Sequence, residues 1–321
     1  MVRIINLTGG LISYLTSLLV HRAVVYGMPA ALNVEISGKC NLRCPECVTG
    51  SGQSKRPAGF MEVELYKKIL SELKSYLLNV NLYFQGEPML HPDFFKFVSL
   101  SRGIRLTLST NGHYLTDENI SRIIESDIRE IIVSLDGYDR QTYSAYRRGG
   151  DFEKVREGIL KLAAALKEKD SRTKLVVQFL VNRHNEQQIQ EVRNFAVGAG
   201  ARFHLKSMQI INPKGFEEWL PSHEKFRRYF KDDNGDYKLK SRLKNRCFRL
   251  WLSPVIAWNG DVLPCCFDKN AEFVLGNIGE SSFREIWHGE RNRAFREKVL
   301  HNRAGIDICR NCTTGLRGVI I

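Results

Sequence analysis

The chain has 321 residues, of which 43% are hydrophobic and 26% charged, with 48 basic against 35 acidic side chains and a net charge of +13. That length can bury one large core and a small appended one, and the composition is that of a globular protein, which excludes collagen-like and disordered classes. Eight cysteines fall in clusters on a long chain rather than densely throughout a short one, which argues against a secreted disulfide scaffold and for metal ligation in a reducing cytoplasm. The excess of positive charge is concentrated in "HEKFRRYFKDD" and "KLKSRLKNR", where acidic and aromatic residues are mixed in, so a solvated surface is the first explanation. Nucleic acid, a nucleotide-linked substrate and a membrane surface are the anionic alternatives.

Residues 1–30 form an N-terminal helical segment containing "LISYLTSLLV". The apolar run lasts only about ten residues before His21 and Arg22, too short to span a bilayer, and no small-residue cleavage site of a secretory signal follows. A helix packed on the next domain is expected, with peripheral contact at a membrane surface as the alternative.

From residue 31 to 206, short apolar runs alternate with amphipathic stretches. Strands are expected at "ALNVEI" (31–36), "NVNLYF" (79–84), "IRLTLS" (104–109), "REIIVSL" (129–135), "KLVVQFLV" (174–181) and "RFHLK" (202–206). Between them, "MEVELYKKILSELKSYLL", "HPDFFKFVSLSR", "TDENISRIIES", "DFEKVREGILKLAAALKEK" and "NEQQIQEVRNFAVGAG" repeat apolar residues three and four apart, as helices with one buried face do. Thr116 and Asn185 are expected N-caps and Gly200 a helix stop. Six strand–helix units imply an α/β fold, a partial (β/α)6 barrel of parallel strands, with its ligand site at the carboxyl ends of the strands. Residues 207–246 read as a connector. Residues 247–321 form a small C-terminal α+β domain, with a hairpin turning at Asn259-Gly260 and a helix in "SFREIWHGERNRAFREKVL".

The chemistry gathers at strand ends. Directly after the first strand, "CNLRCPEC" places Cys40, Cys44 and Cys47 within eight residues. A buried helical stripe could give that spacing, but Pro45 would break the helix. Structural zinc wants four ligands, and no fourth thiol or histidine follows until His91. A cubane iron–sulfur cluster takes one thiolate per iron, so three thiols leave one iron open.

This C-x3-C-x2-C motif resembles the signature of radical S-adenosylmethionine (SAM) enzymes. The resemblance extends to "QGEP" (85–88), similar to the family's GGEP segment but with Gln85 for its first glycine, and to "STNG" (109–112), "SLDG" (134–137) and "YRRGGDF". It implies a [4Fe–4S] cluster on Cys40, Cys44 and Cys47 whose open iron chelates SAM. Reductive cleavage then yields a 5′-deoxyadenosyl radical that abstracts hydrogen from substrate. It further implies SAM contacts from Gly86, Glu87, Pro88, Ser109, Asn111, Ser134, Asp136 and Arg147, the last chosen over Arg148. His91 is expected to start a helix or line a pocket, and His113 lies beside a SAM-lining motif.

Cys247, then Gly260 and Cys265, then Cys309 and Cys312 in "CRNC" resemble the SPASM or twitch type of C-terminal domain. That implies one auxiliary [4Fe–4S] cluster on these four thiols, with zinc as the alternative. Cys266 is left over, as a small buried residue or a thiol near substrate, and Asp268 is either a hairpin-end residue or a proton acceptor. Peptide or protein modification is the expected function, with a dehydrogenase of a carbohydrate-like small molecule as the alternative and a non-catalytic electron carrier as the reading from another class. An electron donor such as flavodoxin or ferredoxin is the implied partner. Nucleic acid is disfavoured, since no RNA-binding module is recognisable.

Overall fold

The apolar runs become strands where they were expected. The computed structural model describes residues 1–240 and 242–312, so the last nine residues of the expected C-terminal domain and one residue of the expected connector lie outside the described residues. In chain order, α1 (Val2–Val20) is followed by β1 (Ala31–Val34), α2 (Val63–Leu73), β2 (Asn79–Leu82), α3 (Phe94–Leu100), β3 (Arg105–Thr110) and α4 (Asp117–Ile124). Then come β4 (Ile128–Ser134), α5 (Arg140–Tyr146), α6 (Phe152–Glu168), β5 (Lys174–Val181), α7 (Ile189–Gly198) and β6 (Arg202–Ser207). Next are α8 (Gly215–Trp219), β7 (Tyr229–Lys231), β8 (Tyr237–Leu239), α9 (Arg249–Leu252), β9 (Val255–Ile256) and β10 (Asp261–Leu263). The described chain closes with β11 (Gly276–Asn277), α10 (Phe283–His288), α11 (Glu290–Asn302) and α12 (Asp307–Arg310).

The chain forms two compact units. Among the described residues, one comprises Met1–Lys39, Ser54–Leu106 and 243–312. Within it β1 pairs in parallel with β2 on one side and β9 on the other, with Ala31 opposite Asn79 and Asn33 opposite Val255. The β9–β10 hairpin is antiparallel and turns at Gly260, whose φ of 90° suits glycine. Leu32, Val34, Val80 and Leu82 are wholly buried, as strands covered on both faces require.

The other unit contains Cys40–Gln53 and Thr107–Arg242. Here β4, β5 and β6 run parallel in chain order, with Ile131 opposite Leu175 and Val177 opposite Phe203. Helix α6 buries Val155, Ile159, Leu162 and Leu166, spaced at the helical period, and the Asp151 side chain caps it by accepting from the Lys154 amide. Thr116 caps α4 in the same way, through the Asn119 amide. A mixed α/β fold with a central parallel sheet and a small C-terminal domain is the result.

One helix was not expected, and two local expectations differ. Helix α5 is polar apart from its tyrosines and short, so it shows no periodicity, yet the Asp139 side chain caps it through the Thr142 amide. The helix expected over 282–300 is two helices broken at Gly289, whose ψ of 164° is extended. Asn185 stands at the N-cap of a 3-10 turn, Glu186–Gln188, that leads into α7 at Ile189, but its side chain makes no capping bond: it accepts from the Asn182 amide and donates to the carbonyls of Asp136 and Leu180.

Candidate active site

Cys40, Cys44 and Cys47 lie on an irregular loop after β1, with no helix running through them. The Cys47 amide closes a turn onto the Cys44 carbonyl at 3.2 Å, and the Leu42 amide faces Cys40 Sγ at 3.4 Å. Burial pushes the Cys44 thiol up to about 12, a shift the Arg147 guanidinium opposes. Arg147 Nη1 stands 3.9 Å from Cys44 Sγ, while its Nε donates to Asp136 Oδ2 at 2.5 Å. One buried thiol and two half-buried ones beside a fixed cation form a donor set that fits an iron–sulfur cluster, whose iron would displace the thiol protons.

Asn111, at the end of β3, brings its Nδ2 within 2.8 Å of Asn41 Oδ1 and 4.0 Å of Cys40 Sγ. His113 orients it: Nδ1 faces Asn111 Oδ1 at 3.0 Å, and Nε2 accepts the Asp151 amide at 2.8 Å. Ser134 and Asp136 follow at the end of β4, both buried. Arg148, half-exposed, faces Glu218 at 3.8 Å instead.

The other unit holds the "GEP" segment. Gly86 has φ 73°, and a Cβ there would lie 2.3 Å from the Ser37 carbonyl oxygen and 2.7 Å from that of Lys39, so no other residue fits. Position 85 carries no such restriction, consistent with glutamine in place of the family's first glycine. The Glu87 amide donates to the Lys39 carbonyl at 2.8 Å and its carboxylate accepts from the Met89 amide, which caps the short turn over Pro88–Leu90. His91 is buried and ends that turn as its C-cap, two residues before the Asp93 N-cap of α3, whose amide it accepts on Nδ1.

In the same unit as "GEP", Cys247, Cys265, Cys309 and Cys312 line one cavity, with Arg249 and Arg303 among its walls. Among the described residues no group of three His, Cys, Asp or Glu side chains is arranged to hold a single metal ion. A cubane spreads its ligands over four iron corners, so thiols distributed around a cavity wall suit it. Arg303 Nη2 donates to Cys312 Sγ at 3.4 Å, and burial raises the Cys309 thiol to about 11. Cys266 is not among the cavity-lining residues; its sulfur accepts from Arg249 Nη1 at 3.2 Å. Asp268, fully enclosed, accepts the amides of Glu272 and Phe273.

Several residues with a part in the site escaped the sequence. Glu46, inside the cysteine motif, is buried and accepts the Ile211 and Asn212 amides at 2.6 and 3.2 Å, tying the cluster loop to the stretch after β6. An acidic residue between two cysteines was the available signal. Arg249, two residues after Cys247, carried none.

Three thiols behind the first strand of a parallel sheet, and four more around a cavity in a small C-terminal domain, are a donor arrangement that fits iron–sulfur binding by an α/β protein. The Radical SAM superfamily model matches residues 34–196, and the SPASM iron–sulfur cluster-binding domain model matches residues 247–313. The chain belongs to the radical SAM superfamily. It is similar to the S-adenosyl-L-methionine-dependent 2-deoxy-scyllo-inosamine dehydrogenase of Niallia circulans, 26% identical over 288 residues that cover 88% of this chain and 91% of the relative. It is equally similar to the mycofactocin maturase of Mycobacterium tuberculosis, 26% identical over 309 residues covering 88% of this chain and 75% of that protein. The fold matches Streptococcus suis SuiB bound to S-adenosylmethionine at a TM-score of 0.67 and 15% identity, over 95% of this chain and 76% of SuiB. The protein is therefore a radical SAM enzyme that uses S-adenosylmethionine, a SAM-binding [4Fe–4S] cluster and auxiliary iron–sulfur binding in its C-terminal domain.

Proposed function

We propose that the enzyme modifies a peptide or protein. The observation that carries this is the match to a maturase across 88% of the chain, barrel and C-terminal domain together. A small-molecule dehydrogenation is the second reading, favoured by the match to 91% of the inosamine dehydrogenase. With the cluster reduced, bound SAM supplies a 5′-deoxyadenosyl radical able to take hydrogen from an unactivated carbon.

This chain's own residues hold and orient. Cys40, Cys44 and Cys47 hold the first cluster; Gly86, Glu87 and Pro88 present backbone and carboxylate to the SAM amino group. Ser109, Asn111, Ser134 and Asp136 shape the pocket wall, and Arg147 sets positive charge beside Cys44. Cys247, Cys265, Cys309 and Cys312 hold one auxiliary cluster, with Cys266 and Asp268 as the nearby candidates for thiol or proton chemistry. Flavodoxin or ferredoxin is the proposed electron donor, in the cytoplasm.

The test supplies the reduced, reconstituted enzyme with deuterated peptides and, separately, deuterated cyclitols, and follows the label. Deuterium in 5′-deoxyadenosine from a peptide supports the first reading. Label only from a cyclitol selects the second, and label from neither removes both.

A further inference from the structure

Helix α1 is amphipathic the wrong way round. A helix on a globular protein normally buries its apolar stripe, but the residues α1 buries are Asn6, Gly10, Ser13 and Ser17. The outward arc carries Ile4, Leu7, Leu11, Ile12, Leu15 and Leu19, from 37% to 82% exposed, and no charge.

Hydrogen bonds hold this orientation. Asn6 exchanges two with Met28, at 2.9 and 2.8 Å, while Ser13 Oγ accepts the Tyr26 amide and Ser17 Oγ the Val24 amide, each at 2.8 Å. Gly10 packs toward the Trp251 carbonyl, and the Tyr14 ring meets those of Phe248 and Trp251. Rotating the helix to hide the leucines would strip polar groups of their partners, so the apolar face is built to point away from the unit's core.

Basic groups stand at both ends. Arg3 reaches the Gly103 and Lys74 carbonyls, which places it beside Lys74 and Arg102 at the amino end. His21 and Arg22 follow the other end, where His21 lies near His301. The acidic group there, Glu297, accepts the Ala23 amide. An uncharged apolar strip between basic ends, on a chain of net charge +13, complements an anionic lipid surface.

We infer that α1 lies in the plane of an anionic membrane, its Ile4–Leu19 face seated among the acyl chains. The helix extends beyond the apolar run of about ten residues expected from the sequence: it has 19 residues, with a mean hydropathy of 1.3 over an 18-residue window, and by length and composition alone could cross a bilayer. Its bonds to Val24, Tyr26 and Met28 instead keep one face on protein, which a helix lying in the interface allows. The inference is independent of the substrate, since it rests on α1 and its neighbours alone.

Flotation of the anaerobically reconstituted protein tests it, with phosphatidylcholine vesicles either containing phosphatidylglycerol or lacking it. Wild type rises with the anionic vesicles and is released by high salt. Leu11→Asp/Leu15→Asp and Ile4→Asp/Leu19→Asp lower the bound-to-free ratio at least about tenfold. Their iron content and 5′-deoxyadenosine formation stay unchanged, which shows that the variants fold. Wild type that stays in solution with both vesicle types overturns the inference, as does equal flotation of folded variants. A dimer in sedimentation without lipid that both variants dissociate also overturns it, assigning the face to a second copy of the chain.

Discussion

Asp136 is wholly enclosed, and each carboxylate oxygen has a partner: Oδ1 takes the Leu180 amide at 2.7 Å and Oδ2 takes Arg147 Nε at 2.5 Å. Removing one member of a buried pair leaves the other charged and unmatched, which costs roughly 3–5 kcal/mol. Asp136→Asn is expected to lower the unfolding free energy measured in urea by that order, because the amide keeps the Leu180 contact but loses the charge opposite Arg147. His113 gives the pH dependence. Its Nε2 accepts an amide proton, so the native ring is neutral, and burial holds its pKa below the usual histidine value. The unfolded histidine takes up a proton near about pH 6.5 while the native one resists. Stability is therefore full above that pH and declines as pH falls through it. His113→Gln is expected to flatten this limb in unfolding measurements between about pH 6.5 and pH 5. At this scale the cysteines were legible, because thiol spacing with a proline inside is chemically distinctive. Glu46 was not, because its partners, the amides of Ile211 and Asn212, are far away in sequence and carry no side-chain signal.

Among the elements, the strands β1–β6 were legible because each carries apolar residues in a short run or in alternation between turn residues. What the sequence concealed was short: α5, the β7–β8 hairpin and the break at Gly289, each too brief for a period to show. The junction of α9, α10 and α11 was equally hidden. Arg296 on α11 is fully buried, donates to the Leu250 carbonyl on α9 and the Trp287 carbonyl on α10, and lies over the Trp287 ring at 4.2 Å. It thus supplies a cation to the carboxyl ends of two short helices. Burial pulls its pKa down to about 9, which leaves it charged at neutral pH. Arg296→Met keeps the bulk but abandons the carbonyls, and a hydrogen bond to a charged group contributes about 1.5–3 kcal/mol. A loss of at least that size is expected in thermal or urea unfolding, with Arg296→Lys recovering only part of it.

For the whole molecule, the distribution of thiols between the two units makes a prediction about metal. Cys40, Cys44 and Cys47 belong to one unit, and Cys247, Cys265, Cys309 and Cys312 to the other. Each set sits in packing of its own: the first against Arg147 and Asn111, the second around a cavity with Arg249 and Arg303. If both sets bind cubanes, reconstituted protein holds about eight iron per chain. Replacing Cys40, Cys44 and Cys47 together with alanine is then expected to leave about four. The cubane signal of the remainder should persist in electron paramagnetic resonance, and cleavage of SAM should cease. The reciprocal variant, Cys247→Ala/Cys265→Ala, is expected to keep about four and to retain slow cleavage without substrate, because a thiol set in one unit does not complete the other. Loss of all iron in either variant would mean that one cluster supports the folding of the other. Unchanged iron would mean that these thiols are not the ligands.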